Sequence, residues 1–507
     1  RWGFACLVRV SGWSGVCIMP FGVNKAVLLG AAGSGSESGW VVEPTTSTHG
    51  DGWIYDIALD SENNVWFTQL ASSVNELPVG QVMADGTAGA ANNWKRMDPK
   101  GGNYGSGRGI AVDSTNGKIY LAGDGINDAG SQYESLLVGM TDGTLVQDWD
   151  IMRAYSSGNG FFYNSPITVG ADYLGTGRSV FSIPYIYDSA QSHYFAVIGQ
   201  NDASDGSIEN LTGGSGGSVI RFYGSPNQTI YPFSVIRATT SSNPWVYAAF
   251  QTSTMQRFGF FGGQLNTTTY NRRAYTFYSG SAAPSVGGIC ECDANYLYLT
   301  VQEPGGSAEF TLLKVAKSDG AISWQRRIVI SNFSTSGTHY TCPPVVDSSG
   351  NIYAAWSMKD TQSIVGSYYR LHWASWDSSG NLRSLDGTGV KSFFDTSGNN
   401  NYPISLRISS DDNFIYMCGA TNSPYDPYIT KFPTDGTGTD NSAALSGNTD
   451  GTYHYRNDVA YTESAGDIEY DSEYAYITNW ADWNQTDDDV NDATQASGVA
   501  VRLDELA

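Results

Sequence analysis

Residues 343–356 read PPVVDSSGNIYAAW, which is the pattern of two β-strands joined by a turn. Val345 and Val346 end one apolar run, and residues 352–356 form a second run of β-branched and aromatic residues without a helical period. Between them, residues 347–351 combine Asp, Ser, Gly and Asn, which cap backbone groups or accept a positive φ. The stretch therefore predicts strand, turn and strand, and its recurrence along the chain decides the fold.

The same unit occurs eight times, and its turn usually begins with Asp. The copies lie at 55–68, 109–123, 183–197, 235–250, 288–299, 343–356, 405–417 and 467–477. A third apolar strand follows each copy, at 79–83, 136–140, 219–223, 258–261, 311–316, 369–375, 428–432 and 498–503. Asp-Gly or Ser-Gly follows several of these third strands and is a strong hairpin signal. A fourth strand is predicted at 93–96, 148–151, 230–233, 274–277, 323–326, 391–394 and 452–455.

Four antiparallel strands per unit, repeated every roughly 50–75 residues, are typical of β-propeller blades. The sequence therefore predicts an all-β fold: a single β-propeller of eight four-stranded blades, with seven blades as the alternative count. The eighth unit has no fourth strand before Ala507, whereas residues 39–43 (GWVVE) match the fourth-strand pattern. We expect this segment to join the last blade and close the ring, which leaves no unpaired blade edge.

The predicted organisation is an N-terminal arm at 1–37 and a propeller at 38–507. The first methionine is Met19, so part of the arm is expected to lie upstream of the true start. Residues 19–37 have an alternative interpretation as a short signal peptide, with one Lys, an apolar core and small residues at the end. The sequence has no run of about 18 apolar residues, so we expect no membrane insertion.

The composition is acidic, with a net charge of −23 and a pI of about 4.4. Because phosphate contacts depend on clustered Lys and Arg, this balance argues against a nucleic-acid partner. Solubility in a salty medium explains the acidity, and divalent-cation binding is the alternative. Charged residues make up only 15% and Gly accounts for 59 positions, which favours an all-β chain with many turns over a helical one.

The six cysteines do not have zinc-site spacing, and we expect them to be buried free thiols: Cys6, Cys17, Cys290, Cys292, Cys342 and Cys418. Cys290 and Cys292 are expected on the same face of a strand because side chains alternate with period two. The five histidines also lack metal-ligand spacing, and His193 and His372 are expected to pack within strands.

Asp487, Asp489 and Asn491 form a D-x-D-x-N run and are the predicted ligands of a weak calcium site, since calcium prefers several oxygen ligands. The Gly and Glu of an EF-hand loop are missing, so a solvated acidic loop is the alternative. Residues 202–209 are a weaker candidate. No catalytic or cofactor-binding residue is predicted. Residues 213–217 fit G-x-S-x-G but read as a linker before a strand.

The loops in which the repeats differ are the best candidates for recognition, because loops on a rigid scaffold carry function. They are predicted at 155–178, 199–217, 437–450 and 481–495. The 32 Tyr and 14 Trp residues could stack on sugars, although core packing between blades explains most of them.

Three segments carry a resemblance to a known class of protein: 426–438 (DPYITKFPTDGTG), 460–466 (AYTESAG) and 19–25 (MPFGVNK). They resemble virion-associated proteins of marine tailed bacteriophages. That resemblance implies a structural or host-contact role on a particle, with other virion proteins or a host-surface glycan or protein as partners. The DSSGNIY turn also looks like the seven-bladed repeats of secreted bacterial propellers.

Three functions follow as hypotheses. The first is a non-enzymatic phage virion protein of the tail, fibre or particle surface. The second is a secreted or cell-surface bacterial propeller that binds polysaccharide or protein. The third is a propeller glycosidase or lyase, which needs carboxylates with Arg or His at the channel mouth.

Overall fold

The structure is a computed structural model. It describes residues 6–10, 13–17, 25–27, 40–43, 54–69, 77–84, 94–97, 105–126, 133–142, 146–153, 162–163, 167–171, 177–182, 185–188, 193–207, 219–223, 230–238, 245–252, 257–264, 270–276, 285–303, 309–329, 333–334, 340–360, 369–385, 387, 389–393, 400–409, 411–422, 427–437, 452–453, 463–470, 475–483 and 495–503. Regular structure in these ranges consists of β-strands, so the predicted all-β class is confirmed. None of the described segments is a helix that is long and apolar enough to cross a membrane.

The N-terminal region contributes four strands. They are β1 (Cys6–Val10), β2 (Trp13–Cys17), β3 (Lys25–Val27) and β4 (Trp40–Glu43). The first two pair with each other as a hairpin, and β3 pairs with β4.

Sheets 1 and 2 are four-stranded antiparallel meanders, in which consecutive strands are neighbours. Sheet 1 contains β5 (Ile54–Leu59), β6 (Val65–Gln69), β7 (Leu77–Val82) and β8 (Trp94–Met97). Sheet 2 contains β9 (Gly105–Asp113), β10 (Lys118–Ile126), β11 (Tyr133–Thr141) and β12 (Val146–Arg153).

Sheet 3 contains β13 (Phe162–Tyr163), β14 (Ile167–Ala171), β15 (Arg178–Ser182), β16 (Tyr185–Asp188), β17 (His193–Asp202) and β18 (Val219–Tyr223). Its main path is β14, β15, β17 and β18, and β16 pairs β17 beside β15. The predicted strand pair at 183–197 is present as β16 and β17, but its assignment as the first two strands of the sheet is wrong, because β14 and β15 precede it at 167–182. A Gly-containing connection replaces the Asp-Ser turn there, so the repeat signal is missing, and the predicted loop 155–178 partly consists of strand.

Sheets 4 and 5 are again four-stranded meanders. Sheet 4 contains β19 (Ile230–Ala238), β20 (Trp245–Thr252), β21 (Arg257–Gln264) and β22 (Tyr270–Thr276). Sheet 5 contains β23 (Ser285–Glu291), β24 (Tyr296–Glu303), β25 (Glu309–Ala316) and β26 (Ile322–Val329).

The predicted fourth strand at 230–233 is also wrong, because it is the first half of β19. A bulge between Phe233 and Val235 interrupts the alternation of side chains without ending the strand. The sequence of β19 therefore looks like two separate strands, whereas its backbone forms a single strand.

Sheet 6 contains β27 (Phe333–Ser334), β28 (Tyr340–Thr341), β29 (Val345–Val346), β30 (Ile352–Asp360), β31 (Tyr369–Trp376) and β32 (Val390–Phe393). The short strands β27, β28 and β29 each pair with β30 and together take the place of a continuous first strand. Pro343 and Pro344 lie between two of them, and proline has no N–H to donate to a ladder. The opening stretch of the sequence thus forms a broken strand, a turn and the start of β30.

Sheet 7 contains β33 (Asn400–Ile408), β34 (Phe414–Asn422), β35 (Pro427–Pro433) and β36 (Thr452–Tyr453). Sheet 8 contains β37 (Glu463–Tyr470), β38 (Ala475–Trp483) and β39 (Gln495–Leu503), which are followed in space by β4 and β3. The register of β39 against β4 places Val501 opposite Val41.

The first strand of each sheet packs against the first strand of the next. The contacts run from β5 to β9, β14, β19, β23, β28, β33 and β37, and β37 contacts β5. Radially repeated antiparallel meanders define the β-propeller architecture. In a meander the turn after the first strand and the turn after the third strand lie at the same edge of the sheet. We call this the turn edge, and it carries 60–64, 292–295, 317–321, 347–351, 377–381, 409 and 411–413.

The core lies between neighbouring sheets, because both faces of most strands are buried. In β30, Tyr353 and Ala355 pack toward Leu406 and Ile415 of sheet 7, whereas Trp356 packs toward sheet 5. Trp356 stacks on Phe310 with ring centroids 4.2 Å apart. The aromatic strand positions therefore serve inter-sheet packing, as expected for most of the Tyr and Trp residues.

Candidate functional site

The predicted calcium ligands Asp487, Asp489 and Asn491 lie outside the described residues, as does 213–217. Residues 202–207 of the weaker candidate form the end of β17 and a turn, with Gly206 N donating to Asp202 O at 2.9 Å. Within the described ranges, no three His, Cys, Asp or Glu side chains are grouped closely enough to hold a metal ion. The remaining candidates are the polar groups of the turn edge, the junctions between sheets and the first strands.

Asp347 organises the turn of the opening stretch. Its Oδ1 accepts hydrogen bonds from the backbone N–H groups of Ser349 at 2.9 Å and Asn351 at 2.7 Å. Its Oδ2 accepts from Asn351 Nδ2 at 2.8 Å and from the Tyr353 hydroxyl at 3.0 Å. Gly350 has φ +80°, which L side chains rarely adopt. Both carboxylate oxygens are therefore occupied within the turn, and Asp347 has the predicted role of a turn former.

The arrangement recurs in other sheets. Asp60 accepts from the backbone of Glu62 and Asn64 and from the Trp66 indole at 3.0 Å. Asp377 accepts from Ser379 N, Asn381 N and Asn381 Nδ2. The Asn381 side chain, followed by the backbone N–H of Asn381, lowers the pKa of Asp377. The Asp377 carboxylate is therefore held ionised by donors of its own turn.

Several turns also bind the neighbouring sheet. Ser348 N donates to Asp412 Oδ2 at 3.0 Å, which joins the turns of sheets 6 and 7. The Arg326 guanidinium of β26 donates to the carbonyls of Gly380 and Ser379 and lies over the Trp324 ring. The turn edge therefore contributes to the cohesion of neighbouring sheets.

The junction of sheets 2 and 3 contains an ion pair in which the carboxylate is buried and the Arg178 side chain is 33% exposed. Arg178 Nε lies 2.8 Å from Asp113 Oδ2, and the Asp113 side chain is 0% exposed. Beside it, the Tyr120 hydroxyl and the Trp149 indole both donate to Ala203 O at 3.2 Å. Burial, followed by the charge of Asp113, raises the pKa of Tyr120. The phenol therefore stays neutral and acts as a hydrogen-bond donor.

The junction of sheets 6 and 7 contains an Arg–Tyr–Asp group. Arg383 donates to the Tyr353 hydroxyl at 2.8 Å, and that hydroxyl donates to Asp347. Burial raises the pKa of Tyr353, although the charge of Arg383 opposes this change. The Tyr353 hydroxyl bonds both other groups, so this constellation is structural in the state described.

Cys290, Cys292 and Cys342 form no disulfide. Cys342 is fully buried, and desolvation raises its pKa to about 12. Cys290 and Cys292 are partly buried and pack against the same apolar cluster, as expected for one face of a strand. Burial is the largest influence on the Cys292 pKa and raises it. Burial therefore keeps Cys292 and Cys342 protonated at neutral pH, which makes them poor nucleophiles.

His372 lies fully buried in β31 and stacks on Trp356 with centroids 5.8 Å apart. The predicted packing role of this histidine is confirmed. His193 begins β17.

The first strands share a feature that the sequence pattern did not reveal. In six of them the pairing with the second strand contains a register shift. The residues skipped in the pairing are Tyr55, Arg108, Ser234, Gly287, Ile404 and the pair Gly466–Asp467. Bulges re-aim side chains and are common near functional sites. Their residue types differ from sheet to sheet, so no sequence signal marks them.

No protein-family model matches the chain, and the search of curated proteins returns no match. Solved structures similar to the chain include the Dos1 propeller, at 7% identity and a TM-score of 0.47, covering 89% of this chain and 93% of that one. The WD40 domain of SCAP from fission yeast has 7% identity and a TM-score of 0.45, covering 95% and 98%. Quinohemoprotein alcohol dehydrogenase from Comamonas testosteroni has 10% identity and a TM-score of 0.44, covering 89% and 75%.

Proposed function

We propose that the chain is a non-enzymatic binding protein, and specifically a virion component of a tailed phage that contacts neighbouring virion proteins or a host-surface glycan or protein. The observation behind the non-enzymatic role is that the turn-edge carboxylates accept hydrogen bonds within the fold. Asp60, Asp347 and Asp377 accept bonds from their own turns, which leaves them engaged in fold maintenance rather than chemistry.

Recognition is assigned to the opposite edge of the sheets. Second and third strands, for example β30 with β31 and β38 with β39, are joined at this edge, and the connecting residues 361–368 and 484–494 lie outside the described residues. These connections differ in length and sequence from sheet to sheet, unlike the repeated Asp turns. Variable loops on a rigid scaffold are where propellers and other repeat folds place their binding residues.

The virion form of the proposal rests on the resemblance of 19–25, 426–438 and 460–466 to phage virion proteins. A secreted or cell-surface propeller that binds polysaccharide or protein is the second candidate, and a glycosidase or lyase is the third. In the virion form the protein is located on the particle, and the weak calcium site at Asp487, Asp489 and Asn491 would lie in one of the recognition loops.

The ring itself is part of the proposal: eight blades, closed by residues 39–43 in the last blade. Pairing of β4 with β39 and contact between β37 and β5 support it. Removing residues 1–43 should lower the melting temperature because sheet 8 loses β4, whereas removing 1–38 keeps β4 and provides the control. Equal melting temperatures for the two truncations would refute closure by this strand.

The function is tested by applying the purified chain to immobilised marine polysaccharides and to host cells, with turnover measured in parallel. We expect retention without release of reducing ends or of unsaturated sugars. Two charge reversals locate the surface: Glu62→Lys at the turn edge should leave retention unchanged, and Asp360→Lys at the end of β30 should weaken it. Catalytic turnover of any substrate would overturn the non-enzymatic role.

The virion assignment has a separate test. Antibodies against the chain should label intact phage particles in electron micrographs. Their absence from particles, combined with secretion by a bacterial host, would favour the second candidate.

A further inference from the structure

The turn between β9 and β10 contains an asparagine that is followed by glycine, Asn116 and Gly117. Asn116 is exposed. Gly117 has φ +61°, and no atom lies within 4 Å of the position that a Cβ would occupy. The Asn116 amide therefore lies at the surface, next to a glycine whose surroundings are open.

Other Asp turns place a bulky residue after the asparagine. Asn351 Nδ2 donates to Asp347 Oδ2 at 2.8 Å, and Ile352, which follows, is fully buried at the start of β30. Asn116 Nδ2 donates in the same way to Asp113 Oδ2 at 2.8 Å. The two asparagines thus make the same side-chain hydrogen bond but differ in access to the backbone nitrogen that follows them.

We propose that Asn116 is a site of spontaneous deamidation, in which water converts its side-chain amide to a carboxylate. The backbone nitrogen of Gly117 bonds to the side-chain carbonyl carbon of Asn116, and the bond from that carbon to Nδ2 breaks. Nδ2 leaves as ammonia with the proton that the Gly117 nitrogen gives up. Water then opens the cyclic imide at either carbonyl, which gives aspartate or isoaspartate. Glycine favours the ring closure because it has no Cβ to obstruct the attacking nitrogen.

Deamidation places a second negative charge beside the buried carboxylate of Asp113. Asp113 Oδ2 accepts hydrogen bonds from Asn116 Nδ2 and Arg178 Nε, both at 2.8 Å. Asp113 Oδ1 is buried and has no hydrogen-bond partner in the described part of the chain. An ionised carboxylate at position 116 cannot donate, so Asp113 loses a donor and gains a like charge nearby. The reaction therefore weakens the ion pair that joins sheets 2 and 3.

The test incubates the full, folded chain at mildly alkaline pH in water enriched in heavy oxygen, followed by tryptic digestion in ordinary water and mass spectrometry. The peptide 109–118 should lose its amide nitrogen and gain a heavy oxygen, and chromatography should resolve its aspartate and isoaspartate forms. Asn351, measured in the same sample, is the matched control and should keep its amide. Equal uptake of heavy oxygen at Asn116 and Asn351, or none at Asn116, would overturn the proposal.

Two substitutions measure the consequence for the ion pair. Asn116→Asp carries the charge of the product, whereas Asn116→Ser replaces the amide by a neutral hydroxyl and should abolish the uptake of heavy oxygen by this peptide. Circular dichroism verifies that both variants fold. The melting temperature should fall further for Asn116→Asp than for Asn116→Ser, and equal shifts would refute the weakening of the ion pair by charge.

Discussion

Replacing Asp347 by Ala should destabilise the protein through the turn between β29 and β30. The substitution removes four hydrogen bonds, from Ser349 N, Asn351 N, Asn351 Nδ2 and the Tyr353 hydroxyl. Three of these donors lie where water can replace the carboxylate in part. The Tyr353 side chain is only 1% exposed, so its hydroxyl loses an acceptor that water replaces poorly.

The expected loss is about 2–4 kcal/mol in the free energy of unfolding. Leaving a buried hydroxyl without its acceptor costs about 1–3 kcal/mol, and loss of the turn bonds adds about 1 kcal/mol. Asp347→Ala/Tyr353→Phe separates the two contributions, since removal of both partners is less costly than removal of the acceptor alone. We expect a coupling of about 1–2 kcal/mol between the two positions.

Denaturant unfolding followed by Trp fluorescence measures these losses, provided that the transition is a single step. Asp377→Ala is the matched control, because it removes the same three turn bonds from an exposed carboxylate that bonds no tyrosine. The midpoint should fall further for Asp347→Ala than for Asp377→Ala. Equal shifts, or no coupling with Tyr353→Phe, would show that the turn bonds alone account for the role of Asp347.

Three other outcomes follow from the structure and are read from the same unfolding curves. Gly387→Ala should lower the free energy of unfolding by about 1 kcal/mol, because φ is +80° there, although no atom would contact the added Cβ. Gly436→Ala should cost more, because its Cβ would also clash with a leucine side chain. Equal losses for the two variants would refute the clash. Arg178→Met should cost about 3–5 kcal/mol, because it leaves the Asp113 carboxylate buried without its cation; a loss below 1 kcal/mol would contradict this account. The hydrogen bond from a serine hydroxyl is the main cause that lowers the pKa of Asp411. The contribution of Asp411 to the free energy of unfolding is therefore present above about pH 4 and is lost as pH falls through the folded pKa. Asp411→Asn should flatten the acid side of the plot of stability against pH, and an unchanged slope would contradict this account.

The repeat could be predicted because its turns carry side-chain chemistry. Asp347 and Asp60 stand at the same position of their turns, and each binds backbone N–H groups two and four residues later. Asp and Asn are required for that geometry, so the sequence displays it. The apolar strands on either side are visible as continuous apolar runs, such as 352–356, because both faces of these strands are buried.

Sheet 3 and the bulges could not be predicted, because they depend on the backbone. The connection between β14 and β15 lacks the Asp-Ser turn, and β19 continues through a register shift at Ser234. Bulged positions hold residues as different as Arg108 and Gly287, since a bulge is specified by pairing on both sides rather than by its own side chain. The ion pair of Asp113 with Arg178 joins residues far apart in sequence, which no local pattern reveals.

The polar groups of the turn edge join neighbouring sheets, which is why the proposed recognition is placed at the opposite edge. On the turn edge, the same carboxylate geometry recurs from sheet to sheet, and bonds such as Ser348 N to Asp412 join neighbouring sheets. A surface whose polar groups are satisfied internally has little left to offer a ligand, because each new contact must displace an existing hydrogen bond. The bulged first strands and the variable connections of the opposite edge have no such shared constraint. Selection for a partner can therefore change them without changing the fold, which is why recognition is expected there.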